Sequence, residues 1–290
     1  MRNAIIAILL MLASVHAALA SECVDSVEMT KPYRPVLSAY TAGLGSAHVC
    51  NTYLTPLHYS GWSATLNYER MQAMGFDPER WVMQLGLQAK FDDAHNPARN
   101  ATMWGIEAEL SWAMLRRHRI NSCPRLQLYW GGFTAARGGT LLLMRNGNNP
   151  AQAIGAWSMG AEVAAAYNLK IKRLPVTLRY QARMPLAGVF FSPDYGELYY
   201  EIFLGNHSGL VHAAWPGNYF RLDNLATADL HLGNTVLRLG YACDVFSSKV
   251  SGIVSRNIAH RFVLGVAVEW LTIGRSRGID PHARIISAMY

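Results

Sequence analysis

Apolar and polar side chains alternate along this chain with a period of two. The stretch AIGAWSMGAEVAAAYNLKIKRLP (153–175) shows the pattern most fully. Its odd positions from Ala153 to Ile171 are apolar or small and include Trp157, Met159, Val163 and Tyr167. Ser158, Glu162, Asn168, Lys170 and Lys172 all fall on even positions. Successive side chains of a strand point to opposite faces, so the pattern predicts a strand with one greasy and one polar face. A helix would set Glu162 and Lys170 about 80° apart among apolar neighbours. Trp157 and Tyr167 share the apolar face. The ten residues between them, at ~3.3 Å each and a tilt of ~40°, climb about 25 Å, the height of the lipid-facing band of a membrane barrel.

The same period recurs. Trp62, Ala64, Leu66 and Tyr68 alternate with Ser63, Thr65, Asn67 and Glu69. Residues 81–91 set Trp81, Leu85, Leu87 and Phe91 against Gln84, Gln88 and Lys90, and residues 104–112 set Trp104, Ile106, Leu110 and Trp112 against Glu107, Glu109 and Ser111. Residues 176–183 set Val176, Leu178 and Tyr180 against Thr177, Arg179, Gln181 and Arg183; residues 262–270 set Phe262, Leu264, Val266 and Trp270 against Gly265, Ala267 and Glu269. Weaker alternation covers 36–47, 125–133, 219–232 and 235–246. Aromatics bracket the greasy faces: Trp81 with Phe91, Trp104 with Trp112, Trp157 with Tyr167, Phe262 with Trp270. A lipid interface favours aromatics at strand ends, whereas a sandwich core does not. The expected fold is therefore all-β: an antiparallel up-and-down transmembrane β-barrel of ten strands over 36–273. Pairing the halves of 197–215 as an extra hairpin would make twelve; that stretch reads instead as a structured external loop or a hairpin above the membrane. Connections at 48–60, 134–152, 188–217 and 247–259 read as long, and those at 75–80, 173–175 and 233–234 as short. With the N-terminus in the periplasm, every long connection faces outward, as in bacterial barrels.

The first residues set the compartment. Arg2, an apolar run from Ala4 to Val15 and Ala18-Leu19-Ala20 form a secretory signal over 1–20, too short to span as a helix. Glu22 precedes Cys23 where a lipidation site needs a small residue, so simple cleavage after Ala20 is expected. Segments 21–35 and 274–290 are then periplasmic, and the destination is the outer membrane of a Gram-negative bacterium. The formal net charge is +7, with bases gathered in RRHR (116–119), KIKR (170–173) and GRSRG (274–278). After export, nucleic acid is excluded as a partner; lipid head groups and lipopolysaccharide phosphates remain. Cys23, Cys50, Cys123 and Cys243 allow three disulfide pairings, and no zinc spacing is present. No cofactor motif appears: GLGSAH (43–48) lacks the lysine of a phosphate loop.

The segments NTYLTPLHYSGW (51–62), ELYYEIFLGNHSGLVH (197–212), YFRLDNLATADL (219–230) and LRLGYACDV (237–245) resemble a bacterial family of exported proteins, described only as a domain of unknown function. The resemblance covers essentially the mature chain. It implies an outer-membrane barrel and brings no catalytic residues.

Parity assigns the inward charges: Glu69, Lys90, Glu107, Glu109, Glu162, Arg179, Arg183, Arg221, Asp223, Asp229, Arg238, Asp244 and Glu269. Eight acids face five bases, so the two signs roughly balance. In a narrow lumen such groups pair with one another, stiffening the barrel or leaving a narrow polar channel for a small solute. Balance argues against ion selectivity, which lines up one sign. NHSG (206–209) suggests a hydrolase, but adjacent His207 and Ser208 on a strand face opposite ways, and no third orienting group is evident. The readings in order are a non-enzymatic envelope barrel, a surface-binding module using the outer loops with Tyr195, Tyr199, Tyr200 and Trp215, and a lipid hydrolase.

Overall fold

The computed structural model describes residues 32–147, 149–233, 235–271 and 284–290. The expected leader, Cys23 and most of the two expected periplasmic segments lie outside these residues.

Eleven strands are present among the described residues: β1 (Val36–Asn51), β2 (Thr55–Ala73), β3 (Trp81–His95), β4 (Thr102–Ile120), β5 (Cys123–Leu142), β6 (Ala151–Ile171), β7 (Leu174–Phe191), β8 (Val211–Ala214), β9 (Tyr219–Leu232), β10 (Thr235–Val250) and β11 (Ile253–Trp270). All but β8 form a closed antiparallel barrel, each strand pairing with its sequence neighbours and β1 closing on β11. β7 pairs with β9 over Val176–Arg183 and with the short β8 over Gly188–Phe191, so β8 fills the wall where β9 has not yet begun. The barrel has ten strands, not twelve. Residues 197–215 contribute β8 and a five-residue helix, α1 (Tyr199–Phe203), rather than a spanning hairpin.

The alternation governs which way each side chain faces. Along β4, Trp104, Ile106, Leu110 and Trp112 are exposed on the outer wall, while Met103, Glu107, Glu109, Ser111 and Ala113 are buried. Gly43 on β1 faces inward beside the stem of Arg261, 3.6 Å from where its Cβ would sit, and a Cβ there would also meet Thr65 Oγ1 at 2.5 Å. The glycine leaves room for the Thr65 hydroxyl beside Arg261.

The outer wall carries a sharp boundary. On β1 to β3 the outward residues run Tyr40, Ala42 and Leu44; Trp62, Leu66 and Tyr68; Leu85, Leu87 and Phe91. Beyond them come Ser46, His48, His58, Ser60, Asp93 and His95. Trp62 stands at the border, its ring 5.3 Å from Phe91 and its indole N–H donating to Asp93 at 3.0 Å. β6 has 21 residues. At ~3.3 Å per residue and ~40° of tilt it rises roughly 50 Å, about twice the height of a barrel's apolar band.

This excess length corrects the expected connections. Residues 48–60 and 247–259 are mostly strand, joined by tight turns at 52–54 and 251–252. The uniform rule of long outer and short inner connections fails at these two places. The outward face turns polar above the apolar band and the inward face apolar, so the parity of the hydropathy pattern reverses while the hydrogen-bonded ladder continues. Residues 134–152 likewise shorten to a connection at 143–150, and only 192–218 is long.

Candidate functional site

Two apolar clusters close the ends of the barrel, and a polar lumen lies between them. At the rim where β1 begins (the terminal rim), Leu37, Met71, Val82, Leu115, Tyr129, Val236, Ala288 and Met289 pack together. At the opposite, distal rim, Val49, Tyr53, Leu54, Tyr59, Met103, Leu141, Leu143 and Ile253 do the same.

The lumen charges form three linked groups. Nearest the terminal rim, Glu69 accepts from Arg179 at 2.5 and 2.9 Å and from Arg238 at 2.7 Å. Arg238 also donates twice to Asp229, both at 2.8 Å. Arg179 donates to Gln181, whose amide donates to Glu162 at 2.6 Å. In the middle, Glu109 binds Arg183 at 3.3 Å and Arg221, and Asp223 lies 3.5 Å from Arg183 and 2.9 Å from Arg221. Toward the distal rim, Glu107 binds Arg137 and, at 3.5 Å, Lys90; Lys90 also meets Asp92 at 2.9 Å. Arg261 pairs with Asp244 and donates to Ser63, which donates in turn to Asp92 at 2.6 Å. Arg238, Asp229, Arg261 and Glu162 are essentially inaccessible to solvent.

Of the charges assigned inward by parity, Glu107, Glu109, Glu162, Arg179, Arg183, Arg221, Asp223, Asp229, Arg238 and Asp244 lie in these groups. Glu269 stands apart at the terminal rim, bonded to Ser287. Asp92, Arg137 and Arg261 are members that the sequence reading missed. Each continues a correctly read parity by one or more steps, but in a stretch assigned to a loop or beyond a strand end. Extending the even register of 82–90 by one step reaches Asp92; extending the odd register of 263–269 back reaches Arg261.

The proposed interface aromatics all face outward. Trp104, Trp112, Trp157, Tyr167, Phe262 and Trp270 are exposed. Trp81 and Phe91 are half covered by neighbouring rings, Phe76 and Trp62 respectively.

Little open volume remains along the axis. A cavity of about 120 Å³ lies among Glu69, Glu109, Arg183, Arg238 and Arg261. Next to it, among Glu107, Arg137, Arg221 and Asp244, only about 20 Å³ is free. A third space of about 50 Å³ opens above, against Phe190, Tyr219 and Phe246. The narrowest of these spaces holds on the order of one water molecule.

Both mouths are covered. At the terminal rim the last residues tuck inward. Tyr290 donates to Asp229 at 2.6 Å, and Arg117 donates to the carbonyl oxygen of Ser287 at 2.7 Å. Tyr129 donates to that of Ala288 at 3.2 Å. Ala288 and Met289 are fully buried, and Ile285 bridges to Tyr33. Burial raises the Tyr290 hydroxyl well above its ordinary pKa, which keeps it a donor. At the distal rim the 192–218 segment lies across the barrel. Tyr53 donates to the Glu197 carbonyl oxygen at 2.7 Å, Tyr199 packs edge-on to Tyr53 at 6.0 Å, and the amide of Tyr195 donates to the Ser251 carbonyl oxygen at 3.1 Å.

His207 and Ser208 sit exposed before β8, and His212 bonds through Nε2 to the Ser192 carbonyl oxygen at 3.0 Å. Among the described residues no cluster of His, Cys, Asp and Glu is suited to a metal. Cys50, Cys123 and Cys243 form no disulfide with one another.

A family model described as "Protein of unknown function (DUF3316)" matches residues 4–277, and the chain belongs to that family. No curated protein matches the sequence. Among solved structures, the outer membrane protease OmpT from Escherichia coli is similar, with a TM-score of 0.44 at 9% identity, covering 85% of this chain and 99% of that one. The translocator domain of the autotransporter NalP from Neisseria meningitidis has a TM-score of 0.38 at 12% identity, covering 90% of this chain and 94% of that one.

Proposed function

We propose that this member of the family is an integral outer-membrane barrel with a non-enzymatic envelope role, held closed rather than open as a pore. A closed antiparallel barrel with an apolar outer belt satisfies its backbone internally and suits a bilayer, and the expected leader supplies export. The terminal rim faces the periplasm in this reading, and the strand extensions and the 192–218 segment project outside. The observation that carries the closed state is the series of three ion-pair groups between Tyr290 and Asp92, with about 20 Å³ free at the narrowest part and both mouths covered. A conducting pore needs a continuous wet path. Here the acids and bases that would line it hold each other across the lumen.

The test is purification in detergent, electrophoresis with and without boiling, and insertion into a planar bilayer. Heat-dependent migration with no steady conductance is expected. Steady conductance from the native chain would refute the closed lumen. Identical migration in both lanes from a chain soluble without detergent would refute the membrane barrel.

A second reading, recognition at the cell surface, is favoured by one feature. Tyr195, Tyr200, Phe203 and Trp215 are all more than half exposed on the 192–218 segment, well above the apolar belt. Glycans or lipopolysaccharide are the partners such a rim fits, and loss of glycan or lipopolysaccharide binding on replacing Tyr200 and Phe203 by serine is its test.

A further inference from the structure

The terminal rim is not evenly charged. The adjoining ends of β4, β5 and β6, with the turn that leads to β7, carry Arg116, Arg119, Arg125, Lys170, Lys172 and Arg173, all exposed. Residues 110–130 and 163–182 contain no aspartate or glutamate. β5 and β6 are neighbours, so the β4–β5 and β6–β7 turns sit side by side, about two strand spacings or ~10 Å apart. The acids of the neighbouring β2–β3 turn are engaged elsewhere: Asp77 faces Arg80 at 3.9 Å and Glu79 pairs with Arg284 at 2.8 Å.

These cations lie directly below a lipid-facing wall. Arg116 is opposite Trp130 in the β4–β5 register, and its guanidinium sits 5.9 Å from the Trp130 ring centroid. Trp130 and Ile171 are more than half exposed on the outer wall, and Tyr167 lies alongside them. Along the barrel axis Arg116 stands level with the Trp130 indole, the greasy wall to one side and the basic turns to the other. That is the order of acyl chain, interface and phosphate in one leaflet of a bilayer.

We infer that this crescent is a binding site for anionic glycerophospholipid of the periplasmic leaflet. The inference rests on the membrane orientation proposed above. The ligand class follows from two requirements met together: phosphate-matching guanidinium forks and a contiguous apolar track for the acyl chains. A soluble anion would use only the first. Lipopolysaccharide resides in the opposite leaflet, beside the distal rim. Each base near an anionic surface strengthens association about fivefold, so removal of three is expected to weaken it at least tenfold.

The full chain in detergent is titrated with phosphatidylglycerol and, separately, phosphatidylethanolamine, with bound lipid counted by native mass spectrometry. The variant Arg116→Gln/Arg125→Gln/Arg173→Gln is compared with a charge-matched distal variant, Arg145→Gln/Lys249→Gln/Arg256→Gln. All six positions are exposed, so both variants should fold. Tight phosphatidylglycerol binding that falls at least tenfold in the first variant alone is the expected result. Equal loss in both variants, or no loss in the first, overturns the site. Tighter binding of lipopolysaccharide through the same three residues overturns the leaflet assignment. Heat-dependent migration is read on every sample. Where it persists and lipid binding is unchanged, the site is refuted and the barrel stands; where it is absent from the native chain, the membrane reading itself has failed.

Discussion

Glu69 holds two buried arginines at once, and neutralising it is the sharpest probe of the closed lumen. Its carboxylate bonds to Arg179 at 2.5 and 2.9 Å and to Arg238 at 2.7 Å, with the arginine side chains 2% and 1% exposed. In Glu69→Gln, Arg238 keeps both bonds to Asp229, but Arg179 keeps only the neutral Gln181. The group of Glu69, Asp229, Arg179 and Arg238 changes from neutral to one net positive charge. Coulomb attraction of ~4 kcal/mol per pair at 4 Å and an effective dielectric of ~20 is the gross scale. Breaking a buried pair from one side costs about 3–5 kcal/mol because the remaining charge stays desolvated. With a slope of ~1–3 kcal/mol per molar urea, the unfolding midpoint should fall by at least about 1 M. The assay is equilibrium urea unfolding of the refolded barrel, followed by tryptophan fluorescence and gel migration. The double variant Glu69→Leu/Arg179→Met should recover most of the loss, since it removes both charges of the pair together. A midpoint for Glu69→Gln within about 0.3 M of the native one would mean that water already reaches these arginines, and the closed-lumen reasoning would be wrong.

Other expectations follow from the same geometry. Leu66→Arg, in the middle of the outer belt and 67% exposed there, should cost about 2–4 kcal/mol by placing a charge in lipid; Ser60→Arg on the same strand face, above the belt, should cost under ~1 kcal/mol, and equal costs would remove the boundary drawn at Trp62. Removal of residues 284–290 exposes the terminal mouth, so transient conductance steps should appear in bilayers where the native chain shows none; silence from the truncated chain would place the seal entirely in the lumen. Tyr290→Phe deletes the bond to Asp229 while keeping the ring, for an expected loss of about 1.5–3 kcal/mol, a hydrogen bond to a charged group, read as a lower urea midpoint. Gly43→Val drives its side chain into the Thr65 hydroxyl beside Arg261 and should destabilise by about 1–3 kcal/mol as overpacking, whereas Gly138→Ala, with nothing within 4 Å of its Cβ, should be near neutral.

The amino-acid sequence by itself determined the strand class, the facing of side chains within the apolar belt and the membrane-like outer wall. Period two is a local property of the extended chain, and it reads correctly wherever one face is greasy. It therefore assigned Glu107, Arg179 and Arg238 inward and Trp157 and Phe262 outward. It lost the strands beyond the apolar belt, where the outer face turns polar and the inner one apolar, reversing the parity. The strand nature of 48–60 and 247–259 was missed for that reason, and Asp92 and Arg137 because they lie just past the stretches read as strand. Only the tertiary structure decided who pairs with whom. Glu69 meets Arg238 across 169 residues because closing β1 onto β11 fixes the register around the ring, and no local pattern carries that information. The same closure brings Tyr290 to Asp229 and lays the 192–218 segment over the distal mouth. Whether a polar lumen is a channel or a packed ionic core depends on those long-range meetings, since balanced charges look alike in sequence whether they clasp one another or stand apart in water.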